Sequence, residues 1–211
     1  MGTIEELEQC ILSGNIKEVE RYTTAELEKG IFWSVIFENT LSPLMAKIGQ
    51  GFSAGTYFLP ELIAAGMAVT GAVKVIRESL GDIEIETKGT VVMGTIFKDI
   101  HDIGKNIVIL NLEGAGFKVV DLGIDVQPDK FVRSYRDNHA DLIGISALLS
   151  TTMVNLEPAI KQIRAEEPNA KIMVGGNPIT PEFANNIGAD GYASDGYQAV
   201  LKAKELLDIN A

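Results

Sequence analysis

Two polar side chains near the middle of the chain have a spacing that suits metal binding. Asp99 lies two residues before His101, and Gly104 lies three residues after it. A β-branched run precedes this segment and an apolar, helix-like run follows it, which predicts a loop between a strand and a helix. An imidazole can bind a metal while a neighbouring carboxylate orients the ring. The alternative is an ordinary turn with a solvated or helix-capping histidine.

Two further segments carry small or polar residues where strands are predicted to end. Ser146 begins the sequence Ser-Ala-Leu148, and Gly175 and Gly176 form a pair. In this order, 41 residues separate Gly104 from Ser146, and 26 separate Leu148 from Gly175. Ligands of parallel sheets bind outside the carboxyl ends of the strands, so these segments are expected at the binding edge. Alone, the glycine pair would indicate only a strand-to-loop turn.

The three motifs in this register resemble the signature of the cobalamin-binding domain of the methionine synthase type. That domain also occurs in certain mutases and in the corrinoid carrier proteins of methyltransferase systems. The resemblance covers residues 89 to about 205. Residues 1–88 are similar to the helical cap domain of the methyl-transferring branch, including Phe-Leu-Pro-Glu-Leu at positions 58–62.

The resemblance implies cobalamin bound with its nucleotide base displaced and with His101 as the lower axial cobalt ligand. Asp99 would take the outer hydrogen bond of His101, and Thr152, six positions after Ser146, would complete a triad with both. An N-cap at the start of a helix predicted over residues 152–166 is an equally good and compatible interpretation of Thr152. No residue is expected to be catalytic on its own.

The displaced nucleotide tail of the cofactor would need a deep slot lined by small or hydrogen-bonding groups. Glycine lets a ligand approach the backbone closely, which suits the glycine pair. The remaining residues that this resemblance assigns to cofactor binding are Gly104, Ser146, Leu148, Gly175 and Gly176.

Lys98 departs from the pattern, because related sequences usually have glycine immediately before the aspartate. If that position needs a positive φ, lysine costs about 1 kcal/mol or more. Lys98 could shift the loop or place a cation near the polar rim of the corrinoid.

The elements that must position these residues alternate between strands and helices from residue 89 onward. The strands are predicted over 90–96, 117–122, 141–146, 171–175 and 190–193, and the helices over about 104–115, 128–138, 152–166, 181–187 and 195–208. Such alternation predicts a flavodoxin-like, Rossmann-like five-stranded parallel sheet with helices on both faces. The fold class is therefore an N-terminal helical bundle followed by an α/β domain.

Residues 1–88 are predicted to be helical throughout and to form a cap domain, with an α/β domain over 89–211. Helices are indicated to about 12, over 16–29, over 31–53 and from Pro60 to Leu80. A charged, turn-rich link over 81–89 would allow the cap to move. The cap could provide an apolar lid over the upper face of the cofactor. The alternative is that its apolar residues only form the core of the helical bundle. The lid candidates are Tyr57, Phe58, Leu62, Ile63 and Met67.

Composition excludes several classes of protein. The net charge is −11 without a basic stripe, which argues against nucleic-acid binding. The single cysteine, Cys10, excludes an internal disulfide and a cysteine-based zinc cluster and favours a cytoplasmic location. No apolar run is expected to reach the roughly 20 residues that span a bilayer.

The resemblance implies a carrier that moves a methyl group on cobalt, with methylcobalamin as the loaded form of the cofactor. Its expected partners are a donor-specific methyltransferase of the O-demethylase, methylamine or methanol type, a second methyltransferase serving tetrahydrofolate or a thiol acceptor, and a reductive activation protein. The alternative is the cobalamin-binding subunit of an adenosylcobalamin-dependent mutase, which would need no helical cap.

Overall fold

The computed structural model describes residues 4–80 and 87–209. Chain contacts divide the protein into two units, Met1–Glu86 with Glu113–Gly116, and Thr87–Leu112 with Phe117–Ala211. The predicted link over 81–89 falls largely on residues 81–86, which lie outside the described residues. The boundary between residues 88 and 89 therefore stays a prediction.

Helices make up the first unit. They are α1 (Ile4–Leu12), α2 (Ile16–Glu28), α3 (Trp33–Ile36), a π-helical turn (Phe37–Leu41), α4 (Ser42–Ser53) and α5 (Leu59–Leu80). Local signals set two of the helix starts. The side chain of Asn15 accepts a hydrogen bond from the Glu18 amide, and Glu61 accepts one from the Phe58 amide at 2.8 Å.

The helix predicted over 31–53 is continuous from Trp33 to Ser53, but it contains a π-helical turn between α3 and α4 that the pattern did not predict. Pro43 lies in the first turn of α4. Proline has no amide hydrogen and its ring crowds the preceding turn, so a regular ladder cannot pass through it unbroken. A widened π-helical turn just before the proline accommodates this loss.

Helix α5 contains a stretch, Leu59–Ile76, that is long and apolar enough to cross a membrane by length and composition alone. This corrects the expectation that no run would be long enough. The core helix of a soluble protein passes the same test, and α5 packs along α2, α1 and α4. Its buried residues include Leu62, Val69 and Ile76. The expected cytoplasmic location stays a prediction.

The second unit is built on a parallel sheet in the order β2-β1-β3-β4-β5. The strands are β1 (Thr90–Thr95), β2 (Lys118–Asp121), β3 (Leu142–Ser146), β4 (Lys171–Gly175) and β5 (Gly191–Ala193). The helices are α6 (Ile103–Gly114), α7 (Pro128–Asp137), α8 (Ser150–Met153), α9 (Leu156–Glu166), α10 (Pro181–Asn186) and α11 (Gly196–Leu206). This confirms the predicted fold class, and the strand order is the flavodoxin-like one.

The central strands are mostly apolar, as expected for a parallel sheet that helices cover. Val92, Ile143 and Ile172 are fully buried on neighbouring strands. They belong to one core cluster with residues of α7 and α9, among them Phe131 and Ile160. This packing fixes the strand ends, and therefore the loops that follow them.

The helix predicted over 152–166 is interrupted, and this changes the surroundings of Thr152. Helix α8 ends at Met153 and α9 begins at Leu156. Between them, the side-chain amide of Asn155 donates a hydrogen bond to the Phe97 carbonyl at 3.0 Å. The break thus coincides with a side-chain bond to a distant loop, which helical periodicity could not reveal.

Candidate corrinoid-binding site

The three predicted motifs follow neighbouring strands at one edge of the sheet. Thr95, the last residue of β1, pairs with Ser146 of β3. Ser146 in turn pairs with Gly175 of β4. The structure therefore brings the Asp99–His101 loop, the Ser146–Leu148 segment and the glycine pair to the carboxyl edge, where open α/β sheets bind ligands.

Asp99 is the centre of this edge, and it is fully buried, with 0% exposure. Its Oδ1 accepts a hydrogen bond from the His101 amide at 3.1 Å and lies 2.7 Å from His101 Nδ1. Its Oδ2 accepts hydrogen bonds from the Leu148 amide at 2.8 Å and from the Thr152 hydroxyl at 2.5 Å. One carboxylate thus ties the histidine to the loop that follows β3.

Opposing effects act on the Asp99 carboxyl. Burial alone would raise its pKa, because desolvation disfavours the charged form. The hydrogen bonds from Thr152, Leu148 and His101 favour the carboxylate more strongly, so the pKa lies well below its ordinary value. Asp99 is therefore a buried anion at neutral pH, able to accept all four bonds at once.

The hydrogen-bond pattern determines which nitrogen of His101 faces outward. A carboxylate only accepts hydrogen bonds, so Nδ1 carries the hydrogen that points to Asp99. In the neutral ring, Nε2 then has the free lone pair. The side chain is 43% exposed, and the Thr95 hydroxyl holds the His101 carbonyl at 2.9 Å. His101 is thus an oriented imidazole with one nitrogen, Nε2, available for coordination.

The donor set is suited to a metal that brings most of its own ligands. Within residues 4–80 and 87–209, no group of three or more His, Cys, Asp or Glu side chains could hold a metal ion. A single imidazole supplies one bond, which matches the axial position of a cobalt already held by a macrocycle. The residues present therefore fit a corrinoid and do not fit a free metal ion.

Exposed apolar side chains surround this edge, and most of them were missed in the sequence. Ile100 and Ile103 flank His101, Leu148 and Leu149 follow β3, and Ile124 follows β2. Several exposed apolar residues on neighbouring loops indicate a binding surface. Their positions directly after predicted strands were the signal that could have revealed them.

The glycines differ in what they accommodate. A Cβ on Gly104, at the start of α6, would meet nothing within 4 Å, so this position opens onto free space. A Cβ on Gly176 would lie 1.9 Å from the Ala147 carbonyl oxygen, and one on Gly175 would lie 2.7 Å from that of Ala193. The pair is therefore required by close backbone packing, and its role in the nucleotide slot stays a prediction.

Thr152 is the third residue of α8, so its predicted place as the N-cap of a helix is wrong. Leu149 occupies the N-cap position, and the Thr152 hydroxyl reaches back to accept from its amide at 3.3 Å. The same hydroxyl donates to Asp99. The geometry therefore joins Thr152, Asp99 and His101 in one hydrogen-bonded chain, as the resemblance implied.

Lys98 has a φ of 67°, a left-handed conformation that lysine rarely adopts. Its amide donates to Asp125 Oδ1 at 2.7 Å, and its ammonium lies 5.1 Å from the centre of the Phe97 ring. Position 98 thus has the backbone conformation that glycine adopts freely, so lysine is strained there, as expected for a position that needs a positive φ. The sequence did not predict the roles of Asp125 and Asn155, which both form hydrogen bonds to this loop.

The lid candidates belong to the helical unit and differ in exposure. Leu62 is fully buried and suits a core position, whereas Tyr57 and Ile63 are half-buried. Phe58 is 69% exposed and Met67 is 51% exposed. These two offer the most apolar surface, and a lid role stays a prediction for all five.

A flavodoxin-like sheet with an oriented histidine at its carboxyl edge fits the corrinoid-binding class of proteins. Comparison with protein families agrees, because residues 89–201 match a B12 binding domain and residues 3–77 match a second model of that description. The chain belongs to the B12-binding family, and its cofactor is cobalamin or a related corrinoid.

Curated relatives extend over nearly the whole chain. Dimethylamine corrinoid protein 1 of Methanosarcina mazei is 38% identical over 97% of this chain and 95% of its own length. Trimethylamine corrinoid protein of Methanosarcina barkeri is 37% identical over 98% of this chain and 97% of its own.

Solved structures share the fold. The methanol:cobalamin methyltransferase complex MtaBC of Methanosarcina barkeri contains a chain that superposes with a TM-score of 0.84 and 25% identity, covering 99% of this chain and 80% of that one. A cobalamin-binding protein of Desulfitobacterium hafniense superposes with a TM-score of 0.77 at 22% identity, covering 97% and 98%.

Proposed function

We propose that this chain is a methyl-carrier corrinoid protein of a methyltransferase system of the methylamine type. The observation that carries this proposal is the oriented His101 in a chain that matches a dimethylamine corrinoid protein over 95% of the relative's length. Methanol and methoxylated aromatic compounds are the other donors that such systems use. The names of the curated relatives favour methylamines among these.

When bound, the corrinoid supplies a cobalt that can accept and release a methyl group. The residues of the chain would hold and orient the corrinoid. His101 would hold the cobalt through Nε2, and Asp99 fixes the ring through Nδ1 at 2.7 Å. Thr152 and the Leu148 amide hold the carboxylate in turn, so the ring direction is set by the loop after β3. The exposed apolar side chains around His101 would contact the macrocycle and keep water away from it.

Two methyltransferases would act on the loaded carrier, one specific for the donor and one serving tetrahydrofolate or a thiol acceptor. A reductive activation protein would restore cobalt that has been oxidised. A chain of the complex MtaBC superposes on this chain, which supports docking of a methyltransferase. Donor specificity would reside in that partner.

The helical unit favours this proposal over the cobalamin subunit of a mutase. A carbon-skeleton mutase needs no helical region before its corrinoid domain. Here residues 3–77 match a B12-binding model of their own, and Phe58 and Met67 present exposed apolar surface. Shielding a reactive cobalt from water and oxygen would use such a surface.

Transfer from isotope-labelled donors tests the proposal. The full chain is reconstituted anaerobically with hydroxocobalamin, reduced, and incubated with dimethylamine, trimethylamine or methanol and the methyltransferase for each. We expect label from a methylamine to appear on the corrinoid bound to this chain. His139→Ala, which changes the other histidine of the chain, is a control variant and should accept label as the wild type does. Absence of transfer from every donor would refute the proposal.

A further inference from the structure

The loop after β2 runs alongside the loop that carries His101. Beyond the end of β2, the Leu122 amide still donates to the Met93 carbonyl at 2.7 Å. The Thr95 amide donates to the Gly123 carbonyl at 3.0 Å, and the Val126 amide donates to the Thr95 carbonyl at 2.9 Å. The two segments are therefore held side by side up to the point where β1 gives way to its loop.

Asp125 continues this contact into the loop by two hydrogen bonds. Its Oδ1 accepts from the Lys98 amide at 2.7 Å. Its own amide donates to the Asp99 carbonyl at 3.0 Å. Asp125 thus spans the two residues that immediately precede Ile100 and His101, and it satisfies backbone groups on both of them.

The conformation that Asp125 holds is a strained one. Lys98 has a φ of 67° and Asp125 has a φ of 55°. Aspartate adopts this left-handed region more readily than most residues, whereas a long side chain such as lysine does so at a cost. The bond from the Lys98 amide to the Asp125 carboxylate offsets that cost, because hydrogen bonds to charged groups are stronger than neutral ones.

The base of the Asp125 loop is anchored. Lys105 is buried, and its ammonium donates to both carboxylate oxygens of Asp121 at 2.7 Å. Asp121 Oδ1 also accepts from the Gly123 amide at 2.9 Å. Since the segment just before Asp125 is fixed to α6, Asp125 acts from a rigid support.

We infer that Asp125 is a positioning residue for His101: it holds Lys98 in the left-handed conformation that directs the Asp99 side chain toward His101. This inference rests on the proposed role of His101 as the axial ligand. Asp125 does not touch the ring itself. Its effect passes through the backbone of Lys98 and Asp99, and loss of its carboxylate would let the histidine depart from its ligating direction.

Two substitutions distinguish the effect of the Asp125 carboxylate from the effect of its backbone conformation. Asp125→Gly removes the acceptor but keeps access to a positive φ, whereas Asp125→Asn keeps an oxygen that can accept from Lys98. We expect Asp125→Gly to weaken binding of hydroxocobalamin by about fivefold. This effect is smaller than a fully buried charge-assisted hydrogen bond would give, because solvent weakens the bond. Asp125→Asn should stay within about twofold of wild type.

Electron paramagnetic resonance of the reduced Co(II) complex gives a readout that a purely structural role would not move. Nitrogen splitting from an axial imidazole should weaken or broaden in Asp125→Gly and persist in Asp125→Asn. Circular dichroism and urea unfolding of each variant check that the fold is retained. Unchanged splitting and unchanged affinity in Asp125→Gly would overturn the inference.

A Lys98→Gly background tests whether Asp125 acts through the left-handed backbone of residue 98. Glycine adopts the left-handed conformation unaided, so Asp125→Gly should change affinity by less than about twofold in Lys98→Gly protein. A full effect in that background would show that Asp125 acts by another route and would overturn the inference. Lack of imidazole splitting in the wild type would instead refute the role of His101, which is a different failure.

Discussion

At the scale of single residues, the site depends on one buried carboxylate that serves four donors. Asp99 links the ring nitrogen and amide of His101 to the loop after β3. The cost of burying this charge is offset only when its hydrogen bonds are complete. Removal of any one partner should therefore cause a measurable loss of stability.

Thr152→Val tests the most buried of these partners. Valine has nearly the same shape and cannot donate to Asp99 Oδ2, so the unliganded protein should lose about 2 kcal/mol of unfolding free energy. Urea denaturation measures this loss. Thr151→Val, at the exposed neighbouring position, should change the free energy by no more than about 0.5 kcal/mol. An equal loss in both variants would contradict the role of the hydroxyl.

Acid unfolding tests the lowered pKa of Asp99. Because its pKa in the folded state lies below its value in the unfolded chain, the carboxylate stabilises the fold above the ordinary range near 3.9. That stabilisation is lost as the pH falls through the folded pKa. Asp99→Asn should therefore lower the free energy of unfolding at pH 7 and reduce its decline below about pH 4. Parallel pH profiles for wild type and variant would contradict this.

Lys98→Gly tests backbone strain in the loop. Glycine has no Cβ and adopts a φ of 67° without cost, so unfolding free energy should rise by about 1 kcal/mol. Lys98→Ala is the matched control, since alanine loses the charge and keeps the Cβ. Thermal and urea unfolding of the unliganded chain should rank glycine above both alanine and lysine. Equal stability of the alanine and glycine variants would show that strain is not the cause.

At the scale of elements, the site is an edge where three strands end together. The parallel register from Thr95 to Ser146 to Gly175 aligns their loops. At the interruption between α8 and α9, the Asn155 side chain binds the Phe97 carbonyl, while its backbone stays helical and its carbonyl accepts from the Ala159 amide at 3.2 Å. A break in one element thus supports a loop in another.

Asn155→Asp tests that support. Aspartate has the same size but presents an acceptor to the Phe97 carbonyl, so the loop over 97–101 should open more often. Hydrogen exchange of peptides that cover this loop should accelerate by about tenfold, while the sheet core stays protected. Asn185→Asp, on the exposed surface of α10, is the control for added charge. Unchanged exchange in Asn155→Asp would contradict the role of the break.

The sequence predicted the five strands within about one residue, because short apolar runs bounded by turn residues alternate with longer helical patterns. It also placed the three motifs at one edge. It missed the π-helical turn at Phe37–Leu41 and the interruption between α8 and α9. Both are local backbone features, near Pro43 and Asn155, that do not alter the apolar pattern.

The same distinction separates the site residues that were found from those that were not. Asp99, His101 and Gly104 are close in sequence, so their spacing was visible. Asp125 lies 27 residues from Lys98, and their contact arises only from the pairing of β1 with β2. Long-range backbone contacts of this kind leave no local signal.

At the scale of the whole molecule, a helical unit and an α/β unit each match a B12-binding family model. The α/β unit supplies a single oriented imidazole, and the helical unit supplies exposed apolar side chains. This division of labour fits a carrier whose partners perform the chemistry. The account therefore depends on whether His101 binds cobalt.

The most direct measurement is electron paramagnetic resonance of the Co(II) form, prepared with histidine labelled with the heavy nitrogen isotope. We predict that the axial nitrogen triplet becomes a doublet in labelled wild-type protein and in His139→Ala, and that the histidine-derived splitting disappears in His101→Ala. Splitting that ignores the histidine label, or that survives His101→Ala, would contradict the account and assign the axial position to another nitrogen.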